Sequence, residues 1–226
     1  MFAIPGQTLT VWRETLAAVM ALGSEHLSSY EVTFEEDTAL FAQLKAGGCA
    51  VNEELACRMY DELLASATAG GFWQYEVSNF ARHRSSGVGE MPDYACQHNI
   101  NYWRGGSFYG LGPSATSYVR GVRTKNWGDT HRYGELLRGG ARPVESTEEL
   151  APVARAGETA AFGLRMNAGW PFDQFGQVTG FDLRDGWAED MDRLVENGWA
   201  CRDDQRFRLT SLGLRFADAA AEAFLR

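Results

Sequence analysis

The sequence has no closely spaced cysteines. Cys49, Cys57, Cys96 and Cys201 are scattered, with no CxxC pair among them, so neither a zinc site nor a disulfide framework is signalled. Reduced thiols fit a cytosolic chain. Histidines are equally dispersed: His26, His83, His98 and His131 make no HExxH pair. Positive charge is in deficit as well, since 21 Lys and Arg stand against 30 Asp and Glu, a net charge of −9. That balance argues against nucleic-acid or anionic-membrane partners, which reward clustered cations. No apolar run approaches the length of a membrane span, and Met1–Gln7 lacks the basic start and apolar core of a signal peptide. These absences predict a cytoplasmic chain. With 226 residues, 45% of them hydrophobic, it is long enough for one large domain, or one domain plus a small appendage.

What is present concentrates between Cys96 and Pro113. This stretch holds one histidine, four large aromatics (Tyr102, Trp103, Phe108, Tyr109) and four glycines (Gly105, Gly106, Gly110, Gly112) in eighteen positions. His98 and Tyr102 are spaced i, i+4, which places both on one face of a helical turn. The glycines mark turns or close backbone approach, without the strand and helix context of a dinucleotide fingerprint. On pattern alone His98 reads as a structural histidine at a helix start, Tyr102 as packing and Asn99 as a cap or turn former.

Along the chain, Met1–Gly6 reads as a short strand cut by Pro5-Gly6. Leu9, Trp12, Leu16, Val19 and Met20 recur at helical spacing before Gly23, which predicts a helix over 9–22. Leu27–Phe34 alternates like a strand, and strand, helix, strand predicts a parallel βαβ unit. The solvated turn Glu35-Glu36-Asp37-Thr38 caps a short helix that ends at Gly47-Gly48. Asn52 caps a longer one, with acidic residues in its first turn and an apolar face to Ala67. Phe72–Ser78 is the next strand. Arg82–Pro92 reads as an exposed loop able to act as a lid. Two strands flanking Arg120-Gly121 form a hairpin, and Asp129–Leu137 a short helix.

Arg138–Pro143 is the clearest composition break, so a domain boundary is expected there, with domains at 1–140 and 141–226. Ser146-Thr147-Glu148-Glu149 has the form of a capping box for a helix to about Leu164. Beyond it, a helix (Leu183–Asn197), a strand (Trp199–Arg202), a turn, a strand (Arg206–Leu209) and a helix capped by Thr210 outline a winged-helix module. Its acidic helix, with Asp185, Glu189, Asp190, Asp192 and Glu196, is a poor face for phosphate and favours protein contact.

Four motifs in order carry a resemblance: Ile4-Pro5-Gly6-Gln7-Thr8, His26-Leu27-Ser28-Ser29-Tyr30, Tyr75-Glu76-Val77-Ser78-Asn79-Phe80-Ala81, and His98–Gly106 continuing to Gly110-Leu111-Gly112-Pro113. With Leu209-Thr210-x-x-Gly213, the chain resembles the HemW branch of the radical S-adenosylmethionine (SAM) family of oxygen-independent coproporphyrinogen III oxidase-like proteins. The resemblance implies an α/β fold: a partial (β/α) barrel followed by a small helical, winged-helix-like domain. It implies heme trafficking, with heme or a porphyrin and a heme-receiving protein as partners. It also implies that the His98-Asn99-x-x-Tyr102 element contacts heme, His98 being a ligand for the iron, and that Thr33 lies near SAM.

The family's CxxxCxxC motif, whose thiolates hold a 4Fe-4S cluster, is absent from this sequence. The expectation is therefore an N-terminally truncated member with no catalytic residue of its own, inactive in radical chemistry by itself, whose uncovered barrel edge invites self-association. Alternatives are a fragment of an active coproporphyrinogen III oxidase, or a dead protein-interaction module.

Overall fold

The computed structural model describes residues 1–84 and 91–226, in two compact units, Met1–Ala95 and Cys96–Arg226. The expected loop over Arg82–Pro92 falls largely on residues 85–90, outside the described residues. On either side of them the amide of Arg84 donates to Asp93 (2.8 Å) and that of Tyr94 to the carbonyl of Arg82 (3.2 Å).

The first unit contains α1 (Leu9–Ala21), β1 (His26–Ser28), α2 (Ala39–Lys45), α3 (Glu53–Ala69), β2 (Trp73–Glu76) and β3 (Asn79–Ala81). Each helix starts where the sequence supplies a cap: the side chains of Thr8, Thr38 and Asn52 accept from the amides of Val11, Phe41 and Leu55. Trp12 and Leu16 of α1 meet Met59 and Leu63 of α3, with Phe2, Phe72 and Phe80 closing the core. Burying each of the larger side chains contributes about 1.5–3 kcal/mol. The Trp12 indole keeps its hydrogen bond by donating to the carbonyl of Met59 at 2.8 Å.

The parallel pairing expected across α1 is present in short form, whereas the three-stranded sheet of this unit is antiparallel. Its order is β1-β3-β2, and both pairings are antiparallel. Among the described residues, parallel pairing is confined to a bridge between Phe2 and Glu31, made by the amide of Phe2 to the carbonyl of Tyr30 and of Val32 to that of Phe2, each 3.0 Å. The expected strands at Met1–Gly6 and Leu27–Phe34 shrink to that bridge and to β1. The cause is a turn at Val77-Ser78. The buried Glu76 carboxylate accepts from the amide of Ser78 (3.0 Å) and from Asn79 Nδ2 (2.6 Å), folding the chain back as a hairpin. Glu76 is 1% exposed.

The second unit begins with α4 (Gln97–Trp103), the hairpin of β4 (Thr116–Val119) and β5 (Val122–Asn126), and α5 (Thr130–Arg138) capped by Asp129. Next comes β6 (Val144–Glu149), where the capping box was expected. This segment pairs antiparallel with β5, and the helix α6 (Pro152–Gly163) opens later on Pro152. Pairing with an open strand, reinforced by the Arg123–Glu148 ion pair, satisfies the backbone of 144–149 better than a local cap. Arg138–Pro143 joins α5 to β6 within this unit.

The rest of the unit is β7 (Trp170–Pro171), α7 (Phe172–Thr179), α8 (Leu183–Gly186), α9 (Ala188–Glu196), β8 (Ala200–Arg202) and β9 (Arg206–Leu209). A 3-10 turn (Gly213–Phe216) and α10 (Ala217–Glu222) follow. The helix expected over Leu183–Asn197 breaks at Trp187, whose backbone leaves helical geometry (φ −136°) as its ring enters the core. Its Nε1 donates to the carbonyl of Phe224 at 3.0 Å. The sheet has the order β7-β9-β8, antiparallel throughout. Trp170, Phe175 and Trp187 follow one another edge to face at 5.4 and 6.1 Å between ring centroids. The result is a mixed α/β fold whose last part is a helical module with a small β-wing.

Candidate functional site

The helix α4 carries the His98-Asn99-x-x-Tyr102 element, and the i, i+4 spacing, about one turn, places the first and last of these together. The His98 and Tyr102 rings meet edge to face, 4.8 Å between centroids. His98 is exposed, and among the described residues its imidazole makes no hydrogen bond, so both ring nitrogens are open to a ligand. A structural histidine satisfied by backbone groups is not what the geometry shows. Asn99 is half-buried within the helix rather than at its cap, which is Cys96.

Tyr102 continues onto Phe108 at 4.1 Å, and Phe108 onto Tyr118 at 6.2 Å. Phe108 and Tyr118 also exchange backbone hydrogen bonds, 2.7 and 2.9 Å, so the segment after α4 adds one residue of strand to the β4–β5 hairpin. Two glycines permit this close return. A Cβ at Gly106 would lie 2.0 Å from Asn101 Oδ1, and one at Gly110 would lie 2.3 Å from the carbonyl oxygen of Thr116. The loop is further held by Asn126, whose Nδ2 donates to the carbonyls of Gly110 (3.3 Å) and Gly112 (3.0 Å).

Between α4, the hairpin and α6 lies a cavity of about 160 Å³ with walls of Tyr102, Trp103, Phe108, Tyr118 and Phe162. Arg123 and Glu158 also line it, joined at 2.6 Å, and Arg123 reaches Glu148 with its other terminal nitrogen. Burial opposes the Arg123 charge, but its bonds to Glu158 and Glu148 prevail and raise its pKa.

Arg104, at the end of α4, fixes the helix in this unit. Its Nη1 donates to the carbonyl of Gly169 at 2.7 Å while the guanidinium lies over the Trp170 ring at 4.6 Å. Burial, with the neighbouring Arg206 charge, lowers its pKa to about 10.

Thr33 belongs to the other unit. It is exposed in the extended segment after β1, between Val32 and Phe34, which line a separate cavity of about 100 Å³ with Pro5, Gly6 and Asn52. Among the described residues no group of three or more His, Cys, Asp or Glu is placed to hold a metal ion, and no helix is long and apolar enough to cross a membrane. None of the four cysteines forms a disulfide among the described residues.

Sequence reasoning found the α4 face and the stretch holding Phe108 but missed Tyr118, Phe162, Arg123 and Glu158. The hairpin was legible, and its alternation puts Tyr118 and its partner Arg123 on one face. That signal was available. Nothing local tied Phe162 or Glu158 to α4.

Comparisons with known proteins bear on the chain as a whole. Residues 150–216 match the family model described as the HemN C-terminal domain. The whole chain aligns with the heme chaperone HemW of Bacillus subtilis at 28% identity, covering 57% of that protein. It also aligns with radical S-adenosyl methionine domain-containing protein 1, mitochondrial, of Danio rerio at 37% identity, covering 51% of it. The solved structure of coproporphyrinogen III oxidase HemN from Escherichia coli, a radical SAM enzyme, superposes with a TM-score of 0.75 over 99% of this chain and 53% of that one; at 17% identity it shows the fold alone. The chain thus spans about half the length of the curated relatives it matches. Along its whole length the chain is similar to HemW-type and radical SAM domain-containing proteins, with a HemN C-terminal domain at residues 150–216.

Proposed function

We propose that this chain contacts heme through α4 as part of a heme-trafficking protein, with His98 offering an imidazole to the iron and Tyr102 flanking the porphyrin. The single observation that carries the reading is His98 itself: exposed, without a hydrogen bond, and in ring contact with a tyrosine that also lines an aromatic pocket. Imidazole is a good axial ligand for heme iron, and a phenolate oxygen can also serve. Asn99, between them in sequence, is the third heme-contact residue. The similarity to the heme chaperone of Bacillus subtilis supports the same reading.

In this proposal residues 1–140 are the barrel part and 141–226 the C-terminal domain, within which the family match at 150–216 falls. Thr33 is assigned to the SAM side through its backbone. This sequence holds no CxxxCxxC motif, and its four cysteines are far apart, so the residues present do not fit a 4Fe-4S cluster and no radical step is derived for it. Heme is cargo in this reading, and the receiving partner is another protein.

Adding heme to the purified chain is expected to give a shifted Soret band that Cys96→Ala retains and His98→Ala loses. An identical band in both variants would remove His98 as a ligand.

A further inference from the structure

The pocket beside α4 has a size and a polarity that together specify what can enter it. Its volume, about 160 Å³, is close to the roughly 150 Å³ of apolar cavity that accepts one benzene ring. It is therefore too small for a whole porphyrin, since pockets that enclose a drug-sized molecule run to about 300–1,000 Å³. One ring edge of a larger planar molecule fits, against the Tyr102, Phe108, Tyr118 and Phe162 walls. Among the described residues the charged groups lining it are Arg123 and Glu158. The guanidinium is already shared between Glu158 and Glu148, so one positive charge stands against two negative ones. A ligand carboxylate entering here would give up its water and meet no unshared cation. Leaving such a group unpaired costs about 1–3 kcal/mol or more.

We propose that this pocket takes an apolar pyrrole edge of a porphyrin, bearing only methyl or vinyl groups, and refuses an edge that bears a propionate. The chain then chooses among porphyrins by the edge they can present. The inference rests on the heme reading above.

The test titrates the full chain with iron protoporphyrin IX, which has two pyrroles free of carboxylate, and with iron coproporphyrin III, which has a propionate on every pyrrole. The first is expected to bind about tenfold tighter. Glu158→Gln, which removes one of the two acids, and Phe162→Ala, which opens a wall already 42% exposed, should each shrink that preference to about threefold or less. Thermal melts of both variants serve as the check that they fold. Equal affinity of the two porphyrins for the unmodified chain, or a preference that neither substitution moves, overturns the proposal. Binding with a His98-dependent Soret band but no preference overturns it while the heme reading stands. No spectral change with either porphyrin overturns both.

Discussion

At Gly163 the absence of one carbon decides how α6 sits. A Cβ there would lie 2.0 Å from Trp170 Nε1, and that indole is fully buried, donating to the carbonyls of Thr159 and Ala160 at 3.2 Å each. Gly163→Ala must push the ring or the helix aside, and is expected to destabilise the chain by about 1–3 kcal/mol, the usual cost of overpacking. Urea denaturation with an unchanged slope and a lower midpoint would show it. The neighbouring Thr159 and Phe162 line the pocket beside α4, so the same change should also disturb the porphyrin binding proposed for it. His98 and Tyr102 were legible at this scale because a four-residue spacing on a helix needs no tertiary information. Asn126 was not, because the carbonyls it holds come from a loop fourteen and sixteen residues earlier.

Among the elements, the β1-β3-β2 sheet carries a pH dependence. His26 Nε2 lies 2.8 Å from the hydroxyl of the buried Tyr75, bridging β1 and β2. Burial lowers the His26 pKa from its ordinary 6.5. The unfolded chain then takes up the proton first, so stability falls as pH drops through 6.5 and levels off below the folded value, while above 6.5 the group contributes no slope. His26→Gln is expected to flatten this part of a plot of melting temperature against pH; a slope that persists in the variant would place it elsewhere. Helices α1, α2, α3 and α5 could be read from periodicity and caps because those signals are local. The segment 144–149 could not, since its Ser-x-x-Glu spelling serves a cap or a strand equally and the choice fell to β5. The antiparallel sheet was hidden for a similar reason: β3 is three residues long, too short to announce itself beside β2.

For the whole molecule, the first unit presents β1 and β2 as the outer strands of its sheet, and Trp73 on β2 is 60% exposed. A large apolar side chain on an outer strand favours pairing with another copy. The chain is expected to sediment as a concentration-dependent mixture, and Trp73→Lys to shift it toward monomer. A monodisperse monomer across the accessible concentrations would contradict this. The acidic α9 leaves little for nucleic acid to hold. Asp190 is taken up by Arg193 (2.6 Å) and by Arg226, and Asp192 by Arg202 (2.7 Å).

The wall at Trp103 gives the pocket an optical reporter of its own. An indole beside a bound porphyrin passes its excitation to the macrocycle, so occupancy should dim that tryptophan more than those in the two cores. The emission lost on adding porphyrin to the chain, minus that lost by Trp103→Phe, would then follow loading and release in real time, with no label attached.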